Sequence, residues 1–344
     1  MEYRNLGGSG CSVSAFALGT MTFGESTDED GAFAQLDTFV EAGGTLVDTA
    51  DVYSGGISET IIGKWLSTRP DEVIDRVVLA TKGRFPVSDE PNGVGLSRRH
   101  LDRALTASLR RLSIDTIDLY QVHAWDPLTP IEETLSFLDG AVRAGKIRYL
   151  GLSNFTGWQV QKTVDIAEVN GLTRPVTLQP QYSLLSREIE WEIVPACEST
   201  GLGLLPWSPL AGGILTGKYQ QGTQPASGAR LANDRYTPFM APRTQEQRTW
   251  EVIDTLKAIA EDRAVPVSQV ALAWVAGRPA VSSVILGART LQQLTDNLGA
   301  SELVLTDKEN ERLNLASQPT VDYPYGGMAL WQRRREIGGG WPER

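Results

Sequence analysis

Tyr53 stands five positions after Asp48 in the run TLVDTADVY, and Lys82 and His123 close two later apolar runs, VVLATKG and DLYQVHAWD. Together these residue types can make a tyrosine donate a proton near neutral pH. A phenol alone, with a pKa of about 10, holds its proton too tightly. A neighbouring ammonium favours the phenolate and eases release. Lys82 would supply that charge, Asp48 would pair with Lys82 and hold it, and His123 would hydrogen-bond and polarise a carbonyl oxygen. Such a set suits the addition of hydride to a carbonyl carbon. Singly, the residues have plainer explanations: Asp48 as a strand-end carboxylate that caps a loop, Tyr53 as an aromatic at a rim. Lys82 resists one, because a lysine after VVLAT points among apolar residues and needs a partner there. The other histidine, His100, lies in an Arg-flanked helix start and reads as a surface residue.

These groups must be positioned by the elements around them. Strand-like runs are Ala15–Leu18, Thr45–Asp48, Val77–Lys82, Ile117–Val122, Ile147–Leu152, Val176–Gln179, Gly203–Pro206 and Val281–Leu286, each short and rich in Val, Ile or Leu. Helix-period stretches separate them: RRHLDRALTASLRRL, with Leu101, Leu105, Leu109 and Leu112 on one face, then IEETLSFLDGAVRAG and TWEVIDTLKAIAEDR. Apolar strands alternating with helices imply a parallel sheet buried on both faces. Eight such units predict a closed (β/α)8 TIM barrel of α/β class over residues 1–344, as a single domain. Tyr3–Leu6, GGSG and Cys11–Ser14 read as an N-terminal β-hairpin plugging the barrel bottom. The four chemical residues fall at, or just beyond, the C-terminal ends of strands two, three and four, the face where barrel active sites sit. A loop from Leu210 to about Thr244, rich in Gly, Pro and Ser, is long enough to act as a lid. The tail after it, residues 318–344, has no assigned role.

Composition narrows the function. A formal net charge of −10 argues against a nucleic-acid or anionic-membrane partner. The two cysteines, Cys11 and Cys197, form no CxxC pattern, so neither a disulfide framework nor a metal site is expected, and a reducing cytoplasm fits. No signal-length apolar segment or run of ~18 apolar residues is present. No GxGxxG follows a strand, so a Rossmann-type dinucleotide site is not expected.

The four segments around Asp48, Tyr53, Lys82 and His123, with YRNLG near the start and LGA at residues 298–300, make the chain resemble the aldo-keto reductases over almost its whole length. The resemblance implies an NADPH-dependent oxidoreductase acting reversibly on an aldehyde or ketone, with Tyr53 as general acid, and a barrel that binds NADP(H) without the glycine motif. It assigns Ser153 and Asn154 of GLSNF, and Gln179 of VTLQPQY, to the nicotinamide carboxamide. Thr20, Met21 and Asp48 join that side. In PWSPLAGG, Trp207 would stack on the nicotinamide, while the backbone at Ser208, Pro209, Leu210 and Gly212 would meet the pyrophosphate. Lys218 of LTGKY and Arg230 of SGAR would approach the phosphates. After strand eight, Gly287 permits close backbone approach, Arg289 offers a fork for the 2′-phosphate, and Gln293 and Asn297 follow on one helix face toward adenine. No acidic residue stands at Arg289, so NADPH is preferred over NADH.

Phe23, Tyr53, His123 and Trp125 would line the substrate pocket, with Tyr182 and the tail around Tyr323–Trp331 as further candidates; the expected partner is a small carbonyl or alcohol. The chain also resembles the β-subunits of potassium channels, an alternative as an NADP-binding regulatory protein. Those subunits typically lack a histidine where His123 stands and carry Arg where Asn154 stands, so the enzymatic pattern is favoured. Related barrels occur as monomers and as larger assemblies, and a homo-oligomer is compatible with the sequence.

Overall fold

The computed structural model of the chain describes residues 1–223, 241–321 and 323–327. Two short strands, β1 (Tyr3–Asn5) and β2 (Ser12–Ser14), pair antiparallel, and eight parallel strands follow. These are β3 (Phe16–Gly19), β4 (Leu46–Asp48), β5 (Val78–Gly83), β6 (Ile117–Val122), β7 (Ile147–Ser153), β8 (Pro175–Gln179), β9 (Gly203–Leu204) and β10 (Val284–Gly287). They pair in chain order, with β10 returning to β3. The sheet closes where Ser282 N–H bonds to Leu204 O at 2.9 Å and Ile285 N–H to Pro206 O at 3.0 Å.

The helices are α1 (Glu29–Glu41), α2 (Ile57–Ser67), α3 (Asp71–Ile74), α4 (Arg98–Leu112), α5 (Ile131–Arg143), α6 (Gly157–Val169), α7 (Ile193–Thr200), α8 (Gln247–Arg263), α9 (Val267–Ala276), α10 (Leu291–Leu298) and α11 (Asp307–Ala316). Their starts are chemically marked. Ser97 accepts from His100 N–H at the head of α4, Thr290 accepts from Gln293 N–H at α10, and Thr306 with Glu309 forms a capping box on α11.

Strand alternation sorts the side chains into two cores. Ala17, Leu46, Ala80, Leu119, Leu205 and Ile285 point inward and pack with Leu6 and Val13 of the hairpin, which therefore plugs one end. The opposite faces pack against the helices in the larger cluster that includes Phe16, Val47, Leu79, Tyr120 and Trp274. The plug sits at the N-terminal ends of the strands: Gly8 N–H bonds to Gly201 O at 2.8 Å, and a Cβ on Gly7 would strike the backbone of Val176.

All eight barrel strands lie where the apolar runs predicted them, with one-residue shifts at several ends and larger changes in β9 and β10. The ladder of β9 stops at Leu204, ahead of Pro206, which has no N–H to contribute. β10 begins at Val284, because the Ser282 hydroxyl ties that stretch to Asn5 O and Gly7 N–H of the hairpin. His100 corrects the surface reading. It is buried among the inward positions of α4, with Nδ1 3.2 Å from Asn92 O, and burial lowers its pKa. The run of arginines hid a helix face on which His100 joins Leu101 and Ala104.

Of the long loop, residues 210–223 and 241–244 are described, and they include short 3-10 segments at Ala211–Thr216 and Ala241–Gln245. Arg230 lies outside the described residues, as does most of the tail.

Candidate active site

The C-terminal ends of β4 and β5 put Asp48 and Lys82 on the inner face, each in line with the strand residues beneath it. Lys82 is fully buried, and its ammonium donates 2.6 Å to Asp48 Oδ2, 2.8 Å to Thr49 O and 3.3 Å to Tyr53 Oη. An ammonium has three protons, and here each has an acceptor. Burial alone would lower the Lys82 pKa; the Asp48 carboxylate and Tyr53 outweigh it and hold the group above its usual value. Lys82 is thus kept charged inside the barrel.

Tyr53 reaches this point because the backbone turns sharply there. Ser54, Gly55 and Gly56 all take left-handed conformations, with φ of 50°, 64° and 93°. Two glycines in succession make that affordable in strain terms, and the Ser54 hydroxyl holds the turn by donating 2.8 Å to Phe23 O.

A residue not foreseen from the sequence completes the set. Gln121, on β6 opposite Lys82, donates 3.1 Å to Asp48 Oδ1, and Gln179 donates 2.8 Å to the same oxygen. Asp48 is therefore clamped by two amides and one ammonium. The available signal was the position of Gln121 two residues after Leu119 and two before His123, a buried amide on the inner face of a strand.

His123 packs edge-on to Phe85 and Tyr53, with ring centroids 4.5 and 5.9 Å away. Its pKa is pushed well below the usual range, mainly by burial and then by the charges of Lys82 and Arg84, so the ring is neutral at pH 7. The structure brings Asp48, Tyr53, Lys82 and His123 together at one barrel mouth.

Around them, Asn154 donates 2.9 Å to His123 O and 3.1 Å to Ser153 Oγ, and accepts 3.1 Å from Trp207 Nε1. Ser153 Oγ donates 2.9 Å to Gln179 O. Thr20 is buried and donates 3.0 Å to Asp48 O, with the half-buried Met21 next to it. Ser208, Ala211, Gly212 and Gly213 follow β9 with φ of 55°, 47°, 66° and 93°, a backbone that coils around Pro209 and Leu210. Lys218 is exposed, with its ammonium 5.1 Å from the Tyr219 ring. Gly287 is exposed, and a Cβ there would meet nothing within 4 Å. The half-buried Arg289 precedes α10 and donates its N–H to Gln293 Oε1 at 3.0 Å; Gln293 is exposed and Asn297 buried.

The substrate-side residues divide. Trp125 packs edge-on to Phe155 and Trp158 at the ends of β6 and β7. Phe23 is fully buried in the outer core and presents no surface to solvent. Tyr182 also belongs to packing: its hydroxyl donates 2.7 Å to Glu190 and its ring meets Trp274. In the tail, Tyr325 stacks on Trp191, and Trp331 lies outside the described residues. Among the described residues no cluster of His, Cys, Asp or Glu could hold a metal ion, and no helix is long and apolar enough to cross a membrane.

The sequence model of the Aldo/keto reductase family matches residues 15–317, from the first barrel strand to the end of α11. The chain belongs to the aldo/keto reductase family. Among aldo/keto reductase relatives, it is 41% identical to a Bacillus subtilis protein named Uncharacterized oxidoreductase YrpG, over 91% of this chain and 94% of that one. A probable voltage-gated potassium channel subunit beta of rice is 38% identical, over 88% and 92%. Versiconal hemiacetal acetate reductase of Aspergillus parasiticus is 31% identical, over 94% and 99%. This aldo/keto reductase is an oxidoreductase with a (β/α)8 barrel.

Proposed function

We propose that this oxidoreductase is an NADPH-dependent carbonyl reductase, reversible as an alcohol dehydrogenase, with Tyr53 as the general acid. The observation that carries this reading is the Lys82 ammonium, bonded at once to Asp48 at 2.6 Å and to Tyr53 at 3.3 Å inside a buried site. A charge so placed stabilises the phenolate left when Tyr53 gives up its proton. It stays in place because Asp48 is itself held by Gln121 and Gln179.

The residues fit a nicotinamide dinucleotide. Gln179 Oε1 accepts no hydrogen bond among the described residues, which suits a carboxamide N–H, and Ser153 and Asn154 lie beside it. The indole of Trp207 is half-exposed and oriented by Asn154, as an aromatic platform requires. The left-handed run after Ser208 can turn backbone N–H groups toward an anion. Open space over Gly287 leaves room for a bound group. Lys218, Arg289, Gln293 and Asn297, with Arg230, would hold the phosphates and adenine, and Arg289 favours the 2′-phosphate of NADPH.

When bound, reduced nicotinamide supplies the hydride. The protein's part is orientation and proton management. Neutral His123 donates a hydrogen bond to the carbonyl oxygen and, being uncharged, does not compete with Tyr53 as acid. Tyr53 delivers its proton to that oxygen as negative charge builds there. Lys82 holds the charge left on the phenolate. In the reverse direction the phenolate takes the proton from an alcohol. The related channel subunit makes a regulatory role the second reading; His123 and Asn154, both in place at the mouth, favour catalysis.

The test is Tyr53→Phe, assayed for carbonyl reduction and for NADPH binding by tryptophan quenching. Turnover should fall by about 10²–10⁴-fold, the scale of a lost general acid, while binding is retained. Turnover near that of the parent would show that Tyr53 is not the acid.

A further inference from the structure

Beyond the four catalytic groups, one cation at the mouth has no role in the reaction as written. Arg84 directly follows β5, two residues after Lys82, and its charge reaches His123 at the mouth. Its guanidinium lies 5.1 Å from the Phe85 ring, and Phe85 in turn packs 4.5 Å from His123. One phenyl ring thus separates it from the imidazole that meets the reacting oxygen.

Arg84 is poorly satisfied. It makes no ion pair among the described residues, its Nε is buried without a partner, and its one hydrogen bond is a long one, 3.4 Å to Trp125 O. Asp126 is near enough to feel its charge, but that carboxylate is held by Leu96 N–H at 2.8 Å, Leu128 N–H at 3.0 Å and the Thr129 hydroxyl at 2.7 Å. The backbone at Arg84 also has φ of 154°, a conformation that favours glycine, held by Gly95 N–H donating 2.9 Å to Arg84 O. A half-buried arginine in a strained conformation, with donors that no described residue takes, is free to bind an acceptor from outside.

The barrel decides which acceptor. β5 and β6 stand across the mouth from β9 and β10. The proposed phosphate contacts gather behind β9 and β10, so Arg84 faces the substrate and not the cofactor phosphates. We propose that Arg84 is the specificity-determining residue and selects carbonyl substrates that carry a carboxylate beyond the reacting carbon. A guanidinium fork matches a carboxylate with two parallel hydrogen bonds, and partial burial strengthens both. The aromatic groups Phe85 and Trp125 would hold the carbon skeleton between the anion and the carbonyl. An anion on Arg84 also offsets part of the positive field that lowers the His123 pKa.

This inference rests on the carbonyl-reductase reading, and the experiment separates the two. With NADPH, kcat/KM is compared for para-carboxybenzaldehyde and benzaldehyde in the parent, Arg84→Met and Arg84→Lys. The parent should favour the carboxylate. The ratio of the two values should drop by about 10- to 100-fold in R84M and by less in R84K, which keeps the charge without the fork. An unchanged ratio in R84M would overturn the proposal. A second measurement needs no turnover: calorimetric titration with benzoate and benzamide in the presence of NADP. Loss of benzoate binding in R84M, with benzamide unaffected, supports the carboxylate site even if neither aldehyde is reduced. Equal benzoate binding by parent and R84M refutes it.

Discussion

Gln179 donates its side-chain amide to Asp48 across the barrel mouth at 2.8 Å, sharing the carboxylate oxygen with Gln121. The residue that the family resemblance gives to the nicotinamide is therefore also a strut of the Asp48–Lys82 ion pair. In the proposed mechanism, one side chain couples the cofactor pocket to the charge that activates Tyr53.

Breaking that ion pair from one side should be costly. Asp48→Asn leaves the Lys82 ammonium buried without a counter-charge, and stability should fall by about 3–5 kcal/mol. Asp48→Asn with Lys82→Met removes both charges and should recover much of the loss. Urea denaturation of the two single variants and the double variant checks this. Additive losses would show that the pair is not coupled.

His123 predicts an acid limit to stability. Its folded pKa lies well below the unfolded value of 6.5, so the unfolded chain binds the proton first as pH falls. No penalty exists above pH 6.5; one grows below it until the folded pKa is passed. His123→Gln should lessen the drop in unfolding free energy between pH 7 and pH 5, measured by urea titration at each pH. An identical drop in both proteins would contradict the buried, neutral imidazole.

Asp51 predicts the opposite trend. It is buried beside Glu59, and its pKa is raised to about 7, chiefly by burial and then by Glu59, against the opposing pull of Arg111 and the Val52 N–H. The folded state holds the proton longer than the unfolded chain, so this contribution is full below pH 3.8 and is lost as pH rises through 7. Asp51→Asn should be the more stable protein at pH 8, by about 1–3 kcal/mol, and the gap should shrink at pH 5. Thermal unfolding at the two pH values is sufficient to see it.

Gly63 sits where α2 crosses α4. A Cβ there would lie 2.3 Å from Arg111 O and 2.8 Å from the Leu112 backbone. Helix propensity favours alanine over glycine by about 1 kcal/mol, but a clash with backbone cannot be relieved by a rotamer change. Gly63→Ala should therefore destabilise the protein by about 1–3 kcal/mol, read from denaturant midpoints. A rise in stability would mean that the two helices separate freely.

The amino-acid sequence by itself determined the barrel and singled out Asp48, Tyr53, Lys82 and His123, the four residues proposed to be catalytic. Strands buried on both faces must be apolar throughout, so each one stood out against amphipathic helices, and the polar residues ending them marked the mouth. Asp48, Lys82 and His123 were legible because each charge or imidazole closes an otherwise apolar run. The tertiary structure decided what alternation across neighbouring strands brings together: Gln121 and Gln179 on Asp48, Phe85 against His123, and Arg84 beside Phe85 with no ion-pair partner among the described residues. It also moved Phe23, Tyr182 and His100 into the interior. Those outcomes depend on the register between strands and on how loops fold back over helix ends, and neither has a signature within any one segment.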